Sequence, residues 1–241
     1  MKRTGAQPFP STRLTLLEKL HDPEEQTRSA AFGVLVGLYW MPVYKYLRLK
    51  WHKNPEDTKD LTQAFFTRAL EKGFFEGYDP AKARFRTFLR TCLDAFAANE
   101  RKAEKAQKRG GQAIHVDVDW LAAEKELARL HEKETPESIF EKEWIRSVFR
   151  ISLEEYQQQS EKSGKLLNYL LLLRYDIESE SDVSYKALAK EFGIPVSQVT
   201  NSLAEARRQF RKIVLETLQK STVSREEFQS EARAVLGLKI E

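Results

Sequence analysis

Between Lys82 and Gly111 nine lysine and arginine residues stand against three acidic ones, in a chain whose net charge is only +4. Cations at that density can meet a polyanion such as nucleic-acid phosphate, with release of its counterions. The apolar residues of the same stretch have a separate task. Phe85, Phe88, Leu89, Cys92, Leu93 and Phe96 recur at i, i+3, i+4, i+7, i+8 and i+11, one helical stripe. They predict a buried seat, each side chain worth roughly 2 to 3 kcal/mol. Arg86, Arg90, Arg101 and Lys108 lie off the stripe and are expected to meet phosphates, and Asn99, where the stripe gives way to the basic segment, is the expected polar contact to DNA.

YKALAKEFGIPVSQVTNSLAEARRQFRK, Tyr185 to Lys212, carries a second pattern. A helix with the small Ala189 facing inward ends at Gly193, where a left-handed turn needs a residue without Cβ. Ile194 and Pro195 complete the turn, Ser197 can cap, and Val199, Leu203, Ala206 and Phe210 form the inner face of a second helix. Such a helix-turn-helix places its second helix in the major groove. Ser197, Gln198, Thr200 and Asn201 are then expected to face bases, with Arg207, Arg208, Arg211 and Lys212 on phosphates. An ordinary helical hairpin with a solvated outer face is the rival.

Catalytic chemistry finds little support. His21, His52, His115 and His131 have no ligand spacing and Cys92 is the only cysteine, so no metal, cofactor or disulfide framework is expected. Gly110, Gly111 and Gln112 spell the GGQ tripeptide of peptide-chain release factors, but nothing around them follows that pattern, which leaves a peptidyl-tRNA hydrolase a remote alternative. No nucleophile motif or phosphate-binding glycine loop stands out. The expectation is a protein that is not an enzyme. The single cysteine and the lack of an apolar run near ~18 residues predict a cytoplasmic location without a membrane span.

The elements that must position these residues are all helical, since apolar residues recur at helical spacing and only ten glycines and eight prolines interrupt them. A short helix, Ser11 to Leu20, is followed by one capped by Asp22 whose face holds Phe32, Leu35, Val36, Tyr39, Trp40, Val43, Tyr44 and Leu47. A third starts near Pro55 and stops at Gly73, before an irregular loop to Arg84. The fold class expected is all-α, with two small helical domains at 11–111 and 136–220. Residues 112–135 are read as an acidic linker, since nine acids oppose four cations from Gln112 to Glu143. Residues 221–241 form a C-terminal helical extension, which Phe228, Ala232 and Leu236 are expected to dock on the second domain.

Together these segments resemble the extracytoplasmic-function (ECF) sigma factors of the sigma-70 family, from roughly Ser11 to Leu236. DTKDLTQAFF, Asp57 to Phe66, looks like the region 2.2 signature. RFRTFLRTCLDAFAANERK, Arg84 to Lys102, is similar to the Phe-Arg-x-Trp/Phe-Leu helix of region 2, and Tyr185 to Phe210 looks like region 4.2. YWMPVYKYLR, FFEGYDPAKARFRTFL, KRGG and TPE before a tryptophan helix resemble a subgroup that has a C-terminal extension and is often encoded near serine/threonine kinases.

The resemblance implies that region 2 binds the β′ clamp of core RNA polymerase through Asp57, Asp60, Leu61, Gln63 and Phe66. It implies that the same domain opens the minus-ten promoter element, with Phe74, Phe75, Tyr78 and Lys82 around a captured base and Arg84, Arg86, Asn99, Arg101 and Lys102 on the strand. Region 4 would bind the β flap and read minus-35 DNA, and the acidic linker would thread the RNA-exit path. Partners implied are core polymerase, promoter DNA, and an anti-sigma factor or a serine/threonine kinase.

Two departures matter. Ser202 and Glu205 stand where relatives usually place cations, and Lys59 interrupts the acidic run of region 2.2. Phosphorylation of Thr58 or Thr62 would restore negative charge there. A stand-alone helix-turn-helix regulator is the alternative function.

Overall fold

The computed structural model describes residues 16–20, 22–79, 81–104, 119–129, 134–178, 183–222 and 224–237. Within them the regular structure is helical, with no strand, as the spacing of apolar residues predicts. The start of the first predicted helix, Lys108, the GGQ tripeptide, His21, His115 and His131 lie outside the described residues. Two compact units are present, one formed by residues 1–147 and 220–241, the other by 148–219.

The first unit is built on α2 (Glu25–Trp51), against which α1 (Leu16–Leu20), α3 (Pro55–Glu71) and α4 (Phe85–Glu104) pack. Its inner residues include Leu35, Tyr39, Trp40, Tyr44, Tyr46 and Leu47, all buried. Asp22 does not cap α2 directly: its carboxylate accepts from Glu24 N–H at 2.9 Å, and α2 begins after Glu24. Asn54 caps α3 by accepting from Asp57 N–H, with Pro55 in the first turn where its missing N–H costs nothing. The stripe on α4 meets this core, with Phe85, Leu89, Leu93 and Phe96 buried and Phe88 and Cys92 half-buried.

Three further pieces complete the first unit and change the expected boundaries. α5 (Trp120–Leu127), inside the predicted linker, packs its Trp120 ring edge-on to Tyr44 at 4.8 Å. α6 (Pro136–Lys162) contributes its first half, with Phe140 against Tyr39 and Tyr46, so the division between units falls within α6 after Ser147 rather than at residue 136. α10 (Arg225–Leu236) belongs to the first unit, not to the helix-turn-helix on which the extension was expected to dock. Glu227 and Glu231 of α10 make polar contacts to the start of α4, and Ala232 is buried beside them.

The second unit holds the rest of α6, α7 (Leu166–Leu172) running into a π-turn at Leu173–Ile177, α8 (Tyr185–Phe192) and most of α9 (Val196–Ser221). Leu171, Leu188, Val199 and Leu203 form one buried cluster, and Tyr156, Tyr169, Leu172, Ala206 and Ile213 another. The run Leu166–Leu173 is less enclosed than its composition predicts, because Leu166 and Leu170 are exposed.

Candidate nucleic-acid interface

The helix-turn-helix forms as its residue types dictate. Ser184 caps α8 by accepting from Ala187 N–H at 3.1 Å, and Gly193 ends it with φ of 65°. A side chain there would be strained by the left-handed backbone alone, since no neighbouring atom lies within 4 Å of where its Cβ would stand. Ile194 N–H closes the turn onto Ala189 carbonyl at 3.0 Å. Val199, Leu203 and Ala206 face inward as predicted, while Ser197, Gln198, Thr200, Asn201, Arg207, Arg208, Arg211 and Lys212 are exposed. At 100° per residue, Ser197, Asn201, Arg208, Arg211 and Lys212 fall on one face, a strip about 22 Å long.

Arg207 stands apart from that strip. It makes a paired contact with Asp176, at 2.9 and 2.8 Å, and the Asp176 hydrogen bonds raise its pKa against the opposing effect of burial. Its guanidinium is therefore committed within the unit. Glu205 is committed too, accepting from Lys165 at 2.6 Å and Asn168 at 3.1 Å, and the Lys165 hydrogen bond holds its carboxyl below the usual range. The acidic residue of α9 thus has internal partners.

In the first unit, the residues expected on the minus-ten strand separate into two groups. Asn99, Arg101 and Lys102 are exposed at the C-terminal end of α4, and Lys82 is exposed with Asp79 at 3.4 Å. Arg86 is not: its side chain is 7% exposed, pairs with Glu141 at 2.7 Å and Glu231 at 2.9 Å, and lies 3.7 Å over the Trp144 ring. Sequence periodicity puts Arg86 off the apolar stripe, but α6 and α10 cover that flank. Arg90, likewise expected on phosphate, pairs with Glu141 at 3.6 Å and sits over Phe140.

The loop rings also differ from expectation. Phe75 is buried edge-on to Phe85, Phe74 packs against Phe65 and Phe96, and Tyr78 packs on Phe85 and Phe88 while donating to Ala83 carbonyl at 3.0 Å. They hold the loop onto the core instead of standing free for a base. Beside them a groove of about 300 Å³ is lined by Leu20, Phe32, Leu70, Lys72 and Phe75.

Among the residues expected to face the clamp, Leu61 and Phe66 are core, the latter stacked on Trp40 at 5.4 Å, while Asp57 and Asp60 are exposed and Gln63 is half-buried. Lys59 pairs with Glu56 at 2.9 Å and lies 5.0 Å over the Trp120 ring. Thr58 and Thr62 have no exposed surface, and their hydroxyls donate to the carbonyls of Asn54 and Thr58 at 2.7 and 2.8 Å. Neither hydroxyl is open to a kinase in this arrangement, because α3 buries both on its inner face.

The acidic segment is partly spent inside the first unit. Glu124 accepts from Arg48 through both oxygens, at 2.8 and 2.6 Å, and from the Tyr44 hydroxyl at 2.5 Å. Glu126 pairs with buried Lys45 at 2.5 Å and with Arg146. These residues went unpredicted. The one hint in the sequence is Lys45 within the apolar run of α2, where an unpaired cation is costly, but it does not say which acid answers it. No protein-family model matches the chain, and no match to it was found among curated proteins.

Proposed function

We propose that the chain is a bacterial transcription initiation factor of the sigma-70 type, acting in the cytoplasm without covalent chemistry. It binds core RNA polymerase, reads minus-35 DNA with α8 and α9, and holds the opened minus-ten element on the first unit. The observation that carries this is α9. A capped helix, a left-handed glycine turn, and a second helix with exposed Ser197, Gln198, Thr200 and Asn201 ahead of Arg208, Arg211 and Lys212 match the layout that reads bases and then grips phosphates. Exposed Asn99, Arg101 and Lys102 at the end of an aromatic-seated helix support a second nucleic-acid contact on the first unit. Among the described residues no helix is long and apolar enough to cross a membrane.

Run-off transcription with core polymerase on a promoter library tests the proposal. The expected result is template-specific product that fails when Gln198 and Asn201 are replaced by alanine. Arg208→Ala and Arg211→Ala should instead weaken binding across sequences, each lowering the salt slope by about 1. Sequence-specific duplex binding by the isolated chain, with no co-purifying core enzyme and no product, would leave a stand-alone regulator in its place.

A further inference from the structure

α10 ends on the basic start of α4. The Glu231 carboxylate, fully buried, lies 2.9 Å from Arg86 Nη1 and 3.6 Å from Arg84 Nη1. One turn earlier Glu227 accepts from Phe85 N–H at 3.2 Å, and next to Glu231 the Ser230 Oγ accepts from Arg84 Nη2 at 2.8 Å. Phe85 is the first residue of α4, so its N–H is one of the donors that a helix leaves unsatisfied at its positive end. Two arginines and a helix-start N–H are also the partners that a phosphodiester takes. Both Glu231 oxygens lack a well-directed hydrogen bond despite being buried, so the carboxylate fills the site by charge more than by fit.

We propose that α10 is an intramolecular stand-in for nucleic-acid phosphate: it masks Arg84, Arg86 and the start of α4, and must leave before single-stranded DNA can be held there. The ligand class rests on the proposed function. Several features make departure feasible. α10 is a short, twelve-residue helix with its own Ser224 cap, and Glu226, Arg233 and Ala234 on its outer side are exposed. Arg86 keeps Glu141 and the Trp144 ring when Glu231 leaves, so the cation is not stranded. Arg84 is half-exposed even when docked and turns outward at little cost. A buried ion pair is close to balanced between Coulomb gain and desolvation, which suits a contact that a polyanion can replace.

The test is fluorescence anisotropy of a labelled oligo-dT of about 20 nucleotides binding the full chain at low salt. Two variants free α10 by opposite charge changes. Glu227→Gln with Glu231→Gln removes the docking carboxylates, and Ala232→Asp buries a charge where Ala232 packs without exposure. Hydrogen exchange across residues 225–236 verifies release. Both variants should bind about tenfold tighter than wild type, and Arg84→Ser added to either should remove most of the gain. Glu154→Gln with Glu155→Gln, exposed acids of the second unit, makes the same charge change as the first variant and should leave affinity unchanged. An equal gain in that control, or release of α10 without any gain, overturns the masking. Co-purification of the same proteins with core polymerase separates the two ideas. Tighter DNA binding without polymerase binding defeats the initiation-factor proposal and leaves masking standing, whereas polymerase binding without the gain defeats masking alone.

Discussion

Arg86 shows how a residue type can be legible while its role is not. A cation off an apolar stripe is expected in solvent, yet three carboxylate-bearing or aromatic partners from distant segments enclose it: Glu141, Trp144 and Glu231. Burial opposes its charge, but the surrounding negative groups keep its pKa above the ordinary arginine value. Arg86→Ala should therefore lower the stability of the first unit by about 3 kcal/mol, because it leaves Glu231 buried without its closest cation. Urea unfolding measures this, and Arg86→Met with Glu231→Leu should recover most of the loss. Equal stability of Arg86→Ala and wild type would mean that α10 was not docked on Arg86 in solution. Thr58 and Thr62 teach the same lesson in reverse. Their polarity suggests a surface site, but each hydroxyl bonds to a carbonyl one turn back in its own helix, which lets threonine occupy an apolar face.

At the scale of elements, what the sequence makes legible is what local chemistry decides. The turn at Gly193 needs a left-handed backbone, and glycine alone adopts it without strain, so the end of α8 is fixed by one residue. Gly193→Ala should cost about 1 kcal/mol in chemical denaturation, a modest value because no neighbouring atom crowds the added methyl. A much larger loss would point to a collision and not to backbone strain. The apolar stripe of α4 and the inner face of α9 were readable for the same reason, since helical period is a local property. Segment 112–135 was not readable. Its acidic excess is what a solvated linker has, and nothing local reveals that Arg48 and Lys45, some 80 residues earlier, need Glu124 and Glu126 as partners. The same long-range pairing hides the place of α10, whose Glu227 and Glu231 meet Phe85 N–H and Arg86 at the start of α4, about 140 residues away in the chain.

For the whole molecule, the docked α5 sets a condition on function. If the acidic segment threads polymerase, the contacts that hold α5 in the free chain must break first. Their titration shows how they hold. The Arg48 hydrogen bonds keep Glu124 below the usual carboxylate range, against burial, with Tyr44 assisting. For Glu126 burial acts upward, but the Lys45 hydrogen bond and charge outweigh it. A depressed folded-state pKa contributes stability that is fully present above the ordinary carboxylate value of about 4.5 and is lost as pH falls through the lower folded value. Hydrogen exchange across residues 120–127, corrected for intrinsic rates, should show protection at pH 7 that falls progressively as the pH drops below about 4.5. Glu124→Gln with Glu126→Gln should abolish that protection at pH 7 and remove its dependence on pH. At pH 7, adding core polymerase should produce the same loss in the wild-type chain, because threading and acid both remove the carboxylates from Arg48 and Lys45. Protection of α5 that survives in a stable polymerase complex would mean that the acidic segment stays on the first unit, and that its charge serves the fold of the free chain instead of the RNA-exit path.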